Sequence, residues 1–190
     1  MIWSKYVDET AKCLQSLAVS DGNGNPLDNE TAFTLWNDLT VQARGQKKTI
    51  FLIGNGASAS IASHVAADLA KNAHVHTEVF TDLALITAIA NDMSFEEVFA
   101  EPLRRRLGPG DILVAISSSG RSVNILRAVQ ATKKLGGRII TLSAMSAGNP
   151  LSKEGELNFH VPAQSYGMAE TCHAALLHYW IDKVVSATKT

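Results

Sequence analysis

His64 and Asp68 stand four residues apart in a stretch that follows the turn Gly54-Asn55-Gly56-Ala57-Ser58-Ala59-Ser60. On a helix, that spacing puts an imidazole and a carboxylate on one face, where they share a metal ion or form a hydrogen-bonded pair. The turn offers unhindered backbone N–H groups and hydroxyls, and the helix it opens adds the positive end of its dipole. A second turn of this kind, Ser117-Ser118-Ser119-Gly120 followed by Ser122, lies lower in the chain. Hydroxyl and amide donors of this sort surround phosphate oxygens without needing a lysine. Either turn alone serves equally as a tight strand-to-helix connection or a helix cap. The two together point to a phosphorylated ligand.

The first turn lacks the Gly-Lys-Ser/Thr ending with which a lysine reaches nucleotide phosphates, and the third glycine of a dinucleotide fingerprint is not at its usual spacing. ATP and NAD are therefore poor fits, and a small phosphorylated molecule is expected.

The elements that must hold these turns can be read from periodicity. An apolar strand at 48–53 runs straight into the first turn, and the alanine-rich stretch 57–72 reads as a helix packed closely on a sheet. The same unit repeats as a strand at 112–116 and a helix at 122–135, with Gly136-Gly137 leading to a strand at 138–142. Between the two units come a short strand at 75–79, an apolar helix at 83–91 and an amphipathic helix at 95–107, stopped by Gly108-Pro109-Gly110-Asp111. A short helix at 150–153, a last strand at 157–161 and a long helix at 168–185 complete the chain. Ahead of them, helices at 2–17 and 29–44 flank a connector, Asp21-Gly22-Asn23-Gly24-Asn25-Pro26. This alternation implies an α/β fold with a parallel sheet covered on both faces. In such sheets ligands bind beyond the carboxyl ends of the strands, where both serine-bearing turns fall.

The 190 residues, 46% of them hydrophobic, suffice for one domain with a sizeable core. A net charge of -1 and a pI near 6.6 give no global attraction to nucleic acid or membrane, so anion recognition must be local. Acidic residues at Asp8 and Glu9 replace the apolar run of a signal peptide, and no stretch approaches the about 20 apolar residues of a membrane span. A cytoplasmic protein is expected, with no direct partnership with nucleic acid or membrane. Cys13 and Cys172 read as reduced, structural thiols. His74 and His76 read as a solvated loop end, the alternative being a metal-binding pair on one face of the short strand, and His160 and His173 read as structural or supporting residues. Arg104-Arg105-Arg106 reads as a dipole-favoured helix end.

The motifs Ile53-Gly54-Asn55-Gly56-Ala57-Ser58-Ala59, His64 with Asp68, Ala88-Ile89-Ala90-Asn91-Asp92, and Gly110-Asp111 through Ser117-Ser118-Ser119-Gly120 resemble the sugar isomerase (SIS) domain family, in its phosphoheptose isomerase branch. The resemblance implies a flavodoxin-like three-layer α/β/α sandwich around a five-stranded parallel sheet. It makes residues 1–190 one SIS domain, with an α/β core at 46–190 and N-terminal helices within 1–45 that help build a homotetramer with active sites between subunits.

Carried over by motif, Ser117, Ser118, Ser119 and Ser122 would hold the phosphate, and Asn55, Gly56, Ser58 and Asp92 would contact the sugar or support the first loop. A zinc ion would be bound by His64, Asp68, Glu170 and His178, with Asp68 and His178 as catalytic acid and base. The family pattern has glutamate where Asp68 stands and glutamine where Glu170 stands; both replacements keep an oxygen ligand. Glu170 and His178 lie about 12 Å apart along a helix axis, so their joint role rests on the resemblance. The implied reaction is interconversion of sedoheptulose 7-phosphate and D-glycero-D-manno-heptose 7-phosphate through an enediol(ate), in heptose biosynthesis for lipopolysaccharide or capsule. Some relatives in this branch are instead non-catalytic regulators that bind a replication-initiation protein, and others isomerise different sugar phosphates.

Overall fold

The computed structural model describes residues 2–187. In chain order the elements are α1 (Trp3–Gln15), β1 (Ala18–Asp21), β2 (Pro26–Leu27), α2 (Asn29–Gly45), β3 (Thr49–Gly54), α3 (Ala57–Ala73), β4 (His76–Val79) and α4 (Leu83–Asp92). A 3-10 turn at Phe95–Glu97 precedes α5 (Ala100–Arg106), β5 (Ile112–Ser117), α6 (Val123–Lys134) and β6 (Arg138–Ala144). A second 3-10 turn at Pro150–Lys153 leads to β7 (Leu157–Val161) and α7 (Tyr166–Ser186).

The sheet order is β2-β1-β7-β6-β5-β3-β4. The five strands β4, β3, β5, β6 and β7 pair in parallel as expected. The sheet nevertheless has seven strands rather than five, because β1 adds antiparallel to β7 and β2 adds antiparallel to β1. The segment 21–26 is thus a hairpin turn inside the sheet rather than a plain connector. Its geometry is set by Asp21, whose carboxylate accepts from the backbone N–H groups of Asn23 at 2.9 Å and Asn25 at 2.8 Å. The expected helix at 95–107 is also broken. Pro102 has no N–H to donate, so it is tolerated only in a first helical turn, and the helix starts at Ala100.

Alternation along the buried strands divides the core. Ile50, Leu52, Ile112, Val114 and Ile116 face α1, α2, α3 and α7, whereas Phe51, Ile53, Leu113 and Ala115 face α4, α5 and α6. The N-terminal helix α2 belongs to this core: Trp36 stacks on Trp180 of α7 with ring centroids 4.2 Å apart. The indole of Trp180 donates to Thr40 Oγ1 at 3.0 Å.

Small residues bring α3 and α7 together above the sheet. Ala62, Ala66, Ala169 and Cys172 are buried in the same cluster, and none is large enough to hold the helices apart. This close packing sets the spacing of the polar groups at the helix surfaces.

Candidate active site

Both serine-bearing turns lie at the carboxyl ends of adjacent parallel strands, since Gly54 of β3 is in register with Ile116 of β5. Gly54 is required by the close return of the chain: a Cβ there would come within 2.6 Å of the Ser58 backbone. Gly120 is equally constrained, with φ +62° and space for a Cβ only 1.8 Å from Asn149 Oδ1. The two turns are locked to each other by a reciprocal amide pair. Asn55 Nδ2 donates to Asn124 Oδ1 at 3.0 Å, and Asn124 Nδ2 donates to Asn55 Oδ1 at 2.8 Å.

Between the turns opens a cavity of about 210 Å³ lined by the side chains of Asn55, Ser58, the four serines Ser117, Ser118, Ser119 and Ser122, and Tyr166 and Glu170 of α7. Ser117 Oγ lies 3.2 Å from Ser122 Oγ, and the N-terminus of the 12-residue α6 follows directly. This concentration of hydroxyls at a helix N-terminus suits a phosphate group. Its volume is below the roughly 300–1,000 Å³ of sites that enclose whole small molecules, so it has room for one end of a longer ligand rather than for the whole.

Further along α3 and α7, ligand atoms of His64, Asp68 and His178 all lie within 4.8 Å of one another. His64 Nε2 is 3.4 Å from Asp68 Oδ2, and the His64 and His178 rings tilt at 58° with centroids 5.2 Å apart. Two imidazoles and one carboxylate are a donor set that suits zinc, and three protein ligands leave a position for a substrate oxygen. The residues present therefore fit a catalytic metal.

The remaining expected site residues fall elsewhere. Glu170 is not part of the three-residue group and lines the serine cavity instead. Gly56 caps α3 with φ 57°. Asp92 is exposed at the end of α4, accepts from Asn91 Nδ2 at 2.8 Å, and does not line the cavity. The arginine run is occupied by ion pairs: Arg104 with Glu97 and Glu101, Arg105 with Glu101, and Arg106 with Glu78. His74 caps α3 in the left-handed region, outside the strand that begins at His76.

Sequence reasoning missed Asn124 and Tyr166. The signal for Asn124 was a polar residue on the apolar stripe of α6, which continues through Ile125, Ala128, Val129 and Thr132. Asn124→Ala would leave the Asn55 amide without its partners. Stability is expected to fall by about 1–3 kcal/mol, measurable by chemical denaturation, with a raised KM for a phosphorylated substrate.

A larger cavity of about 590 Å³ lies at the β1–β2 hairpin and the segment after β6, and includes Val19, Pro26, Gly148 and His160. It contains neither serine turn nor the His64 group, so convergence of donors rather than size selects the smaller one.

His173 is fully buried under this region. Its Nε2–H donates to the Ser143 carbonyl at 3.1 Å, and Nδ1 has no partner. Burial pulls its pKa down to about 4, so the folded protein holds it neutral. Burial also lowers His160, its neighbour across Ser143. Below pH 6.5 an unfolded imidazole takes up a proton that folded His173 refuses until about pH 4. The contribution to stability is thus intact above pH 6.5 and is lost as pH falls toward 4, by on the order of 3 kcal/mol. Denaturation midpoints measured at pH 7 and pH 5 should show the decline, and His173→Gln should flatten it.

Serine-bearing turns at adjacent strand ends of a parallel α/β sheet suit a phosphorylated ligand. The SIS domain family profile matches residues 28–144, and the chain belongs to that family. Phosphoheptose isomerase of Aromatoleum aromaticum is 34% identical over 143 residues, covering 71% of this chain and 72% of the relative. That of Thiobacillus denitrificans is 33% identical over 156 residues, covering 78% and 79%. The solved phosphoheptose isomerase of Neisseria gonorrhoeae superposes with a TM-score of 0.80 at 26% identity, covering 95% of this chain and 96% of that one. Within the family the chain falls in the phosphoheptose isomerase branch, and it is an isomerase. Among the described residues no helix is long and apolar enough to cross a membrane.

Proposed function

We propose that the protein isomerises sedoheptulose 7-phosphate to D-glycero-D-manno-heptose 7-phosphate through an enediol(ate). The observation that supports this reading is a three-ligand group, His64, Asp68 and His178, on α3 and α7, the two helices whose N-terminal residues Ser58, Tyr166 and Glu170 line the serine cavity. The serines hold the phosphate at one end of the open-chain sugar, which fixes the carbonyl end near α3 and α7. Asp68 and His178 carry the acid and base roles, removing a proton beside the carbonyl and returning one to the neighbouring carbon. His64, Asp68 and His178 would hold the metal, which we take to be zinc, and its chemistry is to stabilise negative charge on the carbonyl oxygen.

We further propose a cytoplasmic homotetramer with sites completed between subunits, using the N-terminal helices. Exposed apolar side chains on the N-terminal helices support this, Trp3 and Val7 on α1 and Leu35 on α2, as do Leu83, Met93 and Phe95 at and after α4 for contact between subunits. The test is a panel of phosphorylated ketoses of five, six and seven carbons, each assayed with and without added zinc. Zinc-dependent conversion of the seven-carbon substrate is expected. Absence of conversion by both the native protein with zinc and Asp68→Glu overturns the reading.

A further inference from the structure

Three sulfur atoms gather between α1 and α7, away from the serine turns. Cys13 Sγ of α1 lies 3.3 Å from Met168 Sδ of α7 and 3.7 Å from the Pro162 carbonyl oxygen. Cys172 follows Met168 by one helical turn and is buried in the same cluster. Burial pushes the Cys172 thiol up to about 11, and the nearby Cys13 adds to the shift, so the two thiols are within electrostatic reach of each other. Met168 and Cys172 stand two residues to either side of Glu170, which at 3.6 residues per turn puts them on the opposite face of α7 from the serine cavity.

A thiol and a thioether in contact are an ordinary way to fill a core. This pair differs in being reachable from outside. A cavity of about 470 Å³ opens between α1 and the segment ahead of α7, and Cys13, Pro162, Gln164 and Met168 line it. Glu9 and Lys12 line it as well, and their opposite charges leave no net charge there to repel a cation.

Two ligands each about 2.3 Å from one ion are at most about 4.6 Å apart, so Cys13 Sγ and Met168 Sδ already stand close enough to share one. A set made of sulfur alone, with a thioether in it, selects a soft ion such as Cu(I). Zinc favours thiolate, imidazole and carboxylate, and hard cations need oxygen. Charge points the same way: Cu(I) with the Cys13 thiolate is a neutral pair, whereas a divalent ion on that ligand leaves an uncompensated buried charge.

We propose that Cys13, Met168 and Cys172 form a second metal site, distinct from the His64 group, that takes one Cu(I) ion. Cys13 binds as thiolate and releases its proton to solvent, Met168 binds through its thioether, and Cys172 completes the sulfur set. Copper enters and stays monovalent, so no electron is transferred. The site is independent of the isomerase reading.

The test is anaerobic titration of the intact, reduced protein with Cu(I) against a chromophoric Cu(I) chelator, for the native protein, Cys13→Ser, Cys172→Ser, Met168→Leu and His178→Ala. Native protein is expected to take up one Cu(I) per chain. Cys13→Ser should lose about 100-fold in affinity, and Met168→Leu and Cys172→Ser about 10-fold, since even partners outside the ligand shell are worth about 10–100-fold. His178→Ala should bind copper as the native protein does. Met168→Leu conserves core volume, so it keeps the test decisive if a serine variant fails to fold, as thermal unfolding in parallel will show. Native protein that leaves all the copper with the chelator overturns the proposal. So does unchanged affinity in Met168→Leu, which makes Cys13 an ordinary thiol, or lost affinity in His178→Ala, which places the copper at the His64 group.

Discussion

His178→Ala is expected to lower kcat for isomerisation by about 10²–10⁴-fold, the usual worth of a positioned acid or base. The loss should exceed that of any single serine variant. His178 contributes in two ways: its imidazole is one of three groups whose ligand atoms lie within 4.8 Å, and it is the group we assign to proton transfer. Removing it leaves His64 and Asp68, two ligands on one helix, and so weakens metal retention as well. KM for the phosphorylated substrate should change little, because the serines we assign to the phosphate lie at the end of β5 and ahead of α6, and His178 does not line their cavity. A steady-state comparison that separates kcat from KM, with metal content measured in parallel, checks each part. A large KM effect with unchanged kcat would instead assign His178 to binding.

Trp180→Ala is expected to destabilise the protein by about 3–5 kcal/mol. Trp180 is completely buried, stacks on Trp36 and donates to Thr40 on α2. The truncation therefore opens a cavity and removes the donor to the buried Thr40 hydroxyl, which keeps its own bond to the Trp36 carbonyl. Because Trp180 lies two residues from His178 on α7, the same change loosens the helix that faces α3 across the site. Urea denaturation measures the loss, and a midpoint shift of less than a quarter of that expected would mean that α2 is not part of the cooperative core.

The parallel core was legible because its strands are continuous apolar runs bounded by glycine, as at 49–54 and 112–117. The hairpin was not. β1 and β2 are short and carry Ser20, Asp21 and Pro26, residues that by themselves read as breakers, and only pairing along β7 makes them strands. Within the site, the serine turns were readable from composition, and His64 with Asp68 from helical spacing. The approach of His178 was not, since it depends on how closely α3 and α7 pack, and that is decided by alanines whose partners lie over a hundred residues away in the chain. Glu170 lines the serine cavity apart from the metal-type group, as its separation of about 12 Å from His178 along α7 already implied.

The most direct measurement of the central claim is proton NMR of sedoheptulose 7-phosphate incubated with zinc-loaded protein in D₂O. The account predicts accumulation of the aldose heptose 7-phosphate with deuterium at its C2, and loss of both signals in His178→Ala. Neither aldose nor deuterium incorporation with native, zinc-loaded protein would contradict it.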